Sequence, residues 1–210
     1  LLQAAVLQFA EHGYAAASIR AIAAAAGTNV ASVSYHFGDK AGLYKAALSS
    51  VAGSVTHAFE QLAALDLSLS EALPLLYAGF LDGIDSKEAM RQATMRMHLR
   101  ECAEPSPEFR QWIAAVVGPM FHQFERLVLK ELGLKRSDTA VHRLALALIA
   151  IVNDYWISDP FIDQFSPQLR ERKHWVKETT EHLTLLGLAM VDAEKQRRRK
   201  RTSPSLPSPR

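Results

Sequence analysis

A chain of 210 residues can bury a real core as one large or two small domains, and 49% hydrophobic residues is the content of a soluble globular protein. Abundant Ala and Leu with few glycines favour helix throughout, and no uninterrupted apolar run approaches the roughly 18–20 residues of a membrane span. The net charge of +2 conceals an asymmetry: residues 195–210 hold seven of the 24 basic side chains and no acid, leaving 17 basic against 22 acidic before them. One cysteine, Cys102, forbids an intrachain disulfide, fits a reducing cytoplasm and is expected as a small buried residue. The apolar start is amphipathic and lacks the basic lead of a signal peptide, and the missing initial methionine leads us to expect a preceding segment.

Leu1 to His12 reads as a helix with Leu2, Ala5, Val6 and Phe9 on one face, ended by Gly13. Ser18 to Phe37, SIRAIAAAAGTNVASVSYHF, reads as two short helices and a tight turn. Ser18 caps the first, Ile19, Ile22, Ala23 and Ala26 give it an apolar face, and Gly27 stops it. Asn29 caps the second, which Val33 and Phe37 pin to a core. Ala31, Ser32, Ser34 and Tyr35 lie on its opposite side, a face of small residues, hydroxyls and one aromatic without a carboxylate. Such a face can meet base edges and phosphates in a major groove without charge repulsion. Geometry alone leaves an ordinary helical hairpin equally open.

Asp39 opens a long fourth helix to about Ala64, with Leu43, Ala47, Val51, Val55 and Phe59 as its apolar stripe. Ser70 is expected to cap the next helix, Gly83 and Asp85 to end it, and Ser86 to cap a helix over 87–103. A helix over 108–132 should kink at Pro119. Ser137 is expected to cap 138–158, Pro160 to end it, and FIDQF to form a short connection. Ser166-Pro167 starts the last helical region, and the Arg-, Ser- and Pro-rich tail is expected to be disordered. The pattern is all-α: a helix-turn-helix reader over 1–45, a larger helical body over 46–194 and a basic tail over 195–210.

The flanks of the helix pair carry a resemblance. The run AAVLQFAEHGYAAASIRAIAAAAGTNVASVSYHFGDKAGLYKAAL, notably FAEHGY, SIRAIAAAAG and YHFGDKAGLY, resembles the DNA-binding domain of TetR-family transcriptional regulators. It departs from the usual pattern at Ser34, where tyrosine is frequent, and at Thr28, where valine is usual. TNVASVSYHFGDKAGLY together with MRMHLRECAEPSPEF is similar to the subgroup with a CecR-type C-terminal domain. The DNA contacts expected on this reading are Ser18, Arg20, Thr28, Asn29, Ala31, Ser32, Ser34, Tyr35, His36 and Lys40, with His36 and Lys40 on phosphates.

Catalysis finds little support: there is no HExxH, no Cys-His cluster at metal spacing, no glycine-rich phosphate loop and no G-x-S-x-G turn. His98 and Glu101 share a helix face, as a hydrogen-bonded pair or as ligand contacts. An effector pocket is expected among Tyr77, Phe80, Met90, Met97, His98, Glu101, Trp112, Val116, Met120, Phe121, Asn153, Tyr155 and Trp156, with Arg100 and Asp154 as further polar candidates. Methionine and aromatic side chains suit irregular apolar ligands, although a plain core would use the same residues. The resemblance implies an inducer pocket here, and a four-helix dimer interface from 138–158 and about 172–192. The resulting expectation is a homodimeric repressor of a palindromic double-stranded DNA operator, released by a small-molecule effector, with no metal, cofactor or membrane partner. A helical protein-binding adaptor or a helical-bundle enzyme are the alternatives.

Overall fold

The computed structural model describes residues 1–82 and 88–202, apart from the side chains of Ser54, Ala63, Ala64, Glu88, Arg91, Trp156, Asp159 and Thr202. Among these residues there are helices and no strand. The expected stops at Gly83 and Asp85, the cap at Ser86 and the segment 203–210 lie outside the described residues.

The reader forms as local chemistry dictates. Helix α1 (Leu2–Ala16) breaks at Gly13, whose φ of +73° suits glycine, and adds one turn beyond it. Ser18 caps α2 (Ile19–Ala25) by accepting from the Ala21 amide, at a long 3.5 Å. The chain then turns at Gly27 (φ +65°), whose amide bonds Ala24 while Thr28 reaches the Ala23 carbonyl at 2.9 Å. Asn29 caps α3 (Val30–Phe37) with a 2.8 Å bond from the Ser32 amide. Asp39 caps α4 (Lys40–Val51) in the same way through Gly42. Gly42 is required there, because a Cβ would overlap the carbonyl oxygen of Phe37.

The expected single helix 39–64 is two. Helix α5 (Gly53–Ala64) starts after Ala52, whose ψ of 6° breaks the helical path. Gly53 resists helix, and the Ser50 hydroxyl bonds back to the Ala47 carbonyl at 2.8 Å, the Ser-Gly pattern at which helices kink.

The body adds α6 (Leu69–Asp82), α7 (Glu88–Ala103), α8 (Pro107–Trp112), α9 (Gly118–Leu132) and α10 (Thr139–Ile157), followed by α11 (Asp159–Phe165), α12 (Gln168–Glu171) and α13 (Trp175–Thr202). Ser68, not Ser70, caps α6, in a reciprocal box: Glu71 accepts from the Ser68 amide at 2.8 Å while the Ser68 hydroxyl faces the Glu71 amide at 3.4 Å. Asp138, not Ser137, caps α10, since its carboxylate takes both the Ala140 and Val141 amides; the Ser137 hydroxyl instead donates to Glu125. The expected kink at Pro119 takes the form of a widened π-helical turn over Ile113–Val117, in which Gly118 bonds back five residues to Ile113. Pro119, lacking an N–H, then sits harmlessly in the first turn of α9. FIDQF is not a connection but most of α11, opened by Pro160 in its first turn.

Helix α13 also overruns the expected start of the disordered tail at 195. Lys195 pairs with Glu131 at 2.5 Å, Arg197 with Glu194 at 2.6 Å and Arg198 with Asp138 at 2.8 Å, so the basic run to Thr202 is held as helix against α9 and the start of α10.

Two apolar cores result. One joins Val6, Phe9, Ile22, Val33, Leu43 and Tyr44 of the reader to Ala93, Met97 and Phe109 of α7 and α8. The other packs Leu73, Leu76, Tyr77, Phe124, Leu148 and Leu183 in the body. Burial of each large side chain contributes about 1.5–3 kcal/mol.

Helices α6 and α13 cross at Gly187, where a Cβ would lie 2.8 Å from the Tyr77 hydroxyl and 3.2 Å from Leu148. Gly187→Ala should therefore lower the unfolding free energy by about 1–3 kcal/mol in urea titration. Adding Tyr77→Phe, which removes the clashing oxygen, should recover part of the loss; strict additivity would remove this contact from the account.

Candidate nucleic-acid interface and body cavity

Helix α3 turns Val33 inward (1% exposed) and Tyr35 outward (86% exposed). Ala31, Ser34 and His36 share the exposed side, Ser32 and Thr28 are half-buried, and Phe37 packs on the reader core. The Tyr35 ring meets His36 edge-on at 5.1 Å. Arg20 is exposed on α2, and neither α2 nor α3 carries an acid. The Ser18 hydroxyl and the Asn29 side-chain oxygen already serve as caps. Lys40, expected on a phosphate, lies at the end of α1: its Nζ donates to the Ala15 carbonyl at 2.9 Å and sits 5.1 Å from the Tyr14 ring centre. The break in α1 leaves that carbonyl available to a lysine.

A cavity of about 320 Å³ opens in the body. Of the expected pocket residues, Phe80, Met97, His98, Trp112, Val116, Met120, Phe121 and Asn153 line it. Tyr77 does not: it is fully buried in the body core, donating its hydroxyl to the Leu148 carbonyl at 2.9 Å. Tyr155 packs against that core and Met90 against the reader core. The Trp156 side chain lies outside the described residues. Leu48, Val51, Val55 and Phe59 supply a further wall; the last three belong to the expected apolar stripe, and Leu48 stands outside it. The wall's only local signal is the Ser-Ser-Val-Ala-Gly break, which bends the stripe around the cavity.

Glu101, expected in the pocket beside His98, stands elsewhere. It lies away from the cavity and does not pair with His98. Its buried carboxylate accepts from the Tyr44 hydroxyl, from the Ser106 amide at 2.7 Å and from the Ser106 hydroxyl at 2.9 Å. His98 turns instead into the cavity wall, with Nε2 3.5 Å from Cys102 Sγ, and burial pushes its imidazole pKa below the ordinary value. Arg100 donates to the Glu11 carbonyl at 3.2 Å against Gly13, and Asp154 is exposed outside the lining. Cys102, expected buried, is exposed at the end of α7. Among the described residues no His, Cys, Asp or Glu group could hold a metal ion.

Helix α8 grips α4 along its length. Besides the Tyr44–Glu101–Ser106 set, Lys45 reaches Gln111 at 2.7 Å and the Trp112 indole N–H reaches the Ser49 hydroxyl at 2.9 Å. Phe109 and Trp112 of α8 also line the cavity, so the cavity wall and the α4 clamp are one element.

Two short capped helices joined by a tight turn, the second with an acid-free outer face, have the form of a helix-turn-helix braced on a helical body. The family model for bacterial regulatory proteins of the tetR family matches residues 1–47, and the model for the C-terminal domain of the HTH-type transcriptional dual regulator CecR matches residues 70–190. The chain belongs to the TetR family of transcriptional regulators, with a CecR-type C-terminal domain.

Solved structures of the same fold include FadR from Bacillus subtilis in complex with stearoyl-CoA (16% identity, 89% of this chain and 95% of that one, TM-score 0.64). The fatty acid degradation regulator FadR from Bacillus halodurans (17%, 89% and 95%, 0.62) and the TetR-family regulator PfmR from Thermus thermophilus (21%, 90% and 96%, 0.58) are similar as well. Comparison with curated protein sequences finds no match. No helix among the described residues is long and apolar enough to cross a membrane.

Removing the Glu101 carboxylate strands buried donors, so Glu101→Ala should cost about 1–3 kcal/mol for each group left unpaired, read by urea unfolding. Tyr44→Phe should then cost less in the Glu101→Ala background than in the natural chain, and equal costs would show the two groups uncoupled. His98 gives a pH signature. Its folded pKa lies below the unfolded value of about 6.5, so the unfolded chain binds the proton more readily. The stability this neutral group contributes at pH 7 should be lost as pH falls below about 6.5, and His98→Leu should flatten that limb of the urea-midpoint profile.

Proposed function

We propose that the protein is a homodimeric repressor that binds a palindromic operator through α3 and leaves it when a small molecule fills the body cavity. The observation that carries this reading is the acid-free α3 face, with Tyr35 outermost and Val33 anchoring the helix from behind. Base contacts are assigned to Ser32, Ser34 and Tyr35, with Arg20 and His36 toward phosphates; the exposed acids nearest in sequence, Glu11 and Asp39, lie outside α2 and α3. The reader is placed at 1–45 and the effector and dimerisation body at 46–194.

Dimerisation draws on α10 and α13. Leu146 is 58% exposed on the first, and Leu185, 65% exposed, lies with Leu186 on the second, an apolar surplus that a second copy would cover. A two-fold axis there would set two α3 helices about one duplex turn apart, roughly 34–36 Å. The cavity supports an effector role because α8, which lines it, also clamps α4. A molecule seated against Phe109 and Trp112 would push α4 and change the spacing of the two readers. Such a molecule must bind the released state better than the DNA-bound one, since equal affinity shifts nothing. The stearoyl-CoA complex of Bacillus subtilis FadR lends support to a small-molecule effector in this fold. A cytoplasmic, non-enzymatic role fits the same features.

Replacing Tyr35 with Ala should weaken binding to genomic duplex fragments retained by the natural protein by about 1–3 kcal/mol at fixed salt, with helicity and dimer mass unchanged. Equal retention in a gel-shift series would remove Tyr35 from the reading face. A protein-binding adaptor would show no sequence-dependent retention at all, and a helical enzyme would show turnover abolished by His98→Ala.

A further inference from the structure

The composition of the cavity wall restricts what can enter it, an inference that rests on the effector reading above. The lining comes from α4, α5, α6, α7, α8, α9, α10 and the π-helical turn, and among the described lining residues there is no Asp, Glu, Lys or Arg. Its side chains are aliphatic, aromatic and methionine, with few polar groups. The Trp112 N–H is already bonded to Ser49, and His98 faces Cys102. Thr94 lies one helical turn before His98 on α7, and Asn153 lies on α10, which packs against α7. Neither Thr94 nor Asn153 makes a side-chain hydrogen bond among the described residues. Asn153 thus offers both an amide donor and an acceptor, and Thr94 a hydroxyl, to whatever occupies the space.

A charged guest would find no counter-ion. A carboxylate or ammonium group moved from water into such a wall loses its hydration without a partner, the costliest burial a site can impose. An uncharged oxygen needs one or two neutral hydrogen bonds, which Thr94 and Asn153 can supply. The volume of about 320 Å³ is at the small end of ligand sites, roughly 300–1,000 Å³, and suits a short chain or a compact ring system.

We propose that the cavity takes an uncharged, mainly apolar molecule bearing one oxygen function (a ketone, ester or hydroxyl) that hydrogen-bonds Asn153 and Thr94 between α7 and α10, and that it rejects carboxylates and ammonium ions of equal length.

Three probes of one chain length test this on the full chain at pH 8: 2-decanone, decanoate and decylammonium, each titrated by calorimetry. The ketone should bind at least about tenfold more tightly than either ion. Asn153→Leu and the isosteric Thr94→Val should each weaken the ketone by about three- to tenfold, the worth of a neutral hydrogen bond, with the far-ultraviolet circular dichroism unchanged. Decanoate or decylammonium binding within threefold of the ketone would overturn the class of ligand while leaving the effector reading standing. Undiminished ketone binding by both variants would overturn the assigned polar contacts. Failure of all three probes to bind would overturn this inference and the effector reading together.

Discussion

The direction in which α3 points is fixed by close contact. Val33 is sealed into the reader core behind the helix. At the far end, Gly42 brings the start of α4 so near the Phe37 carbonyl that a methyl group would not fit. With the Asn29 and Asp39 caps at either end, a helix of eight residues, too short to be stable alone, is held in one orientation. Its outward side is then free to be chosen for chemistry, and what stands there is hydroxyls, a histidine and an almost fully exposed tyrosine.

The same rigidity runs into the body. Helix α4 belongs to the reader core on one side and, through Tyr44, Lys45 and Ser49, is tied to α7 and α8 on the other. Glu101 is the central knot: a buried carboxylate that joins a reader helix to the cap of α8. Because Phe109 and Trp112 lie between this clamp and the cavity, the molecule has a short physical route from an internal space to α4 and the reader core. A chain of hydrogen bonds and packed rings of this kind gives coupling only if it has two arrangements, which is a matter of energetics between states.

Much of the reader was legible in the sequence because its determinants are local. Ser18, Gly27, Asn29 and Asp39 act within three or four residues of themselves, and the Val33 and Tyr35 faces follow from helical period alone. The body was legible as helices but not as a site. An i+4 stripe such as Val51, Val55 and Phe59 looks the same whether it meets core or cavity, so that wall was missed, while Tyr77 and Tyr155 were assigned to a pocket they do not line. Tyr44 bonds Glu101, the Ala15 carbonyl bonds Lys40 and Asp138 bonds Arg198 across 57, 25 and 60 residues of chain, beyond any local pattern. The basic tail shows this most clearly: composition alone suggests a solvated coil, but acids on α9, α10 and α13 itself neutralise its first turns and keep them helical.

The central claim is that two copies of α3 read duplex DNA. Selection of bound sequences from a random duplex pool by the intact protein tests it most directly. The account predicts a recovered palindrome whose half-sites are centred about one helical turn apart. Recovery of an unordered pool, with retention that follows salt but not sequence, would contradict it.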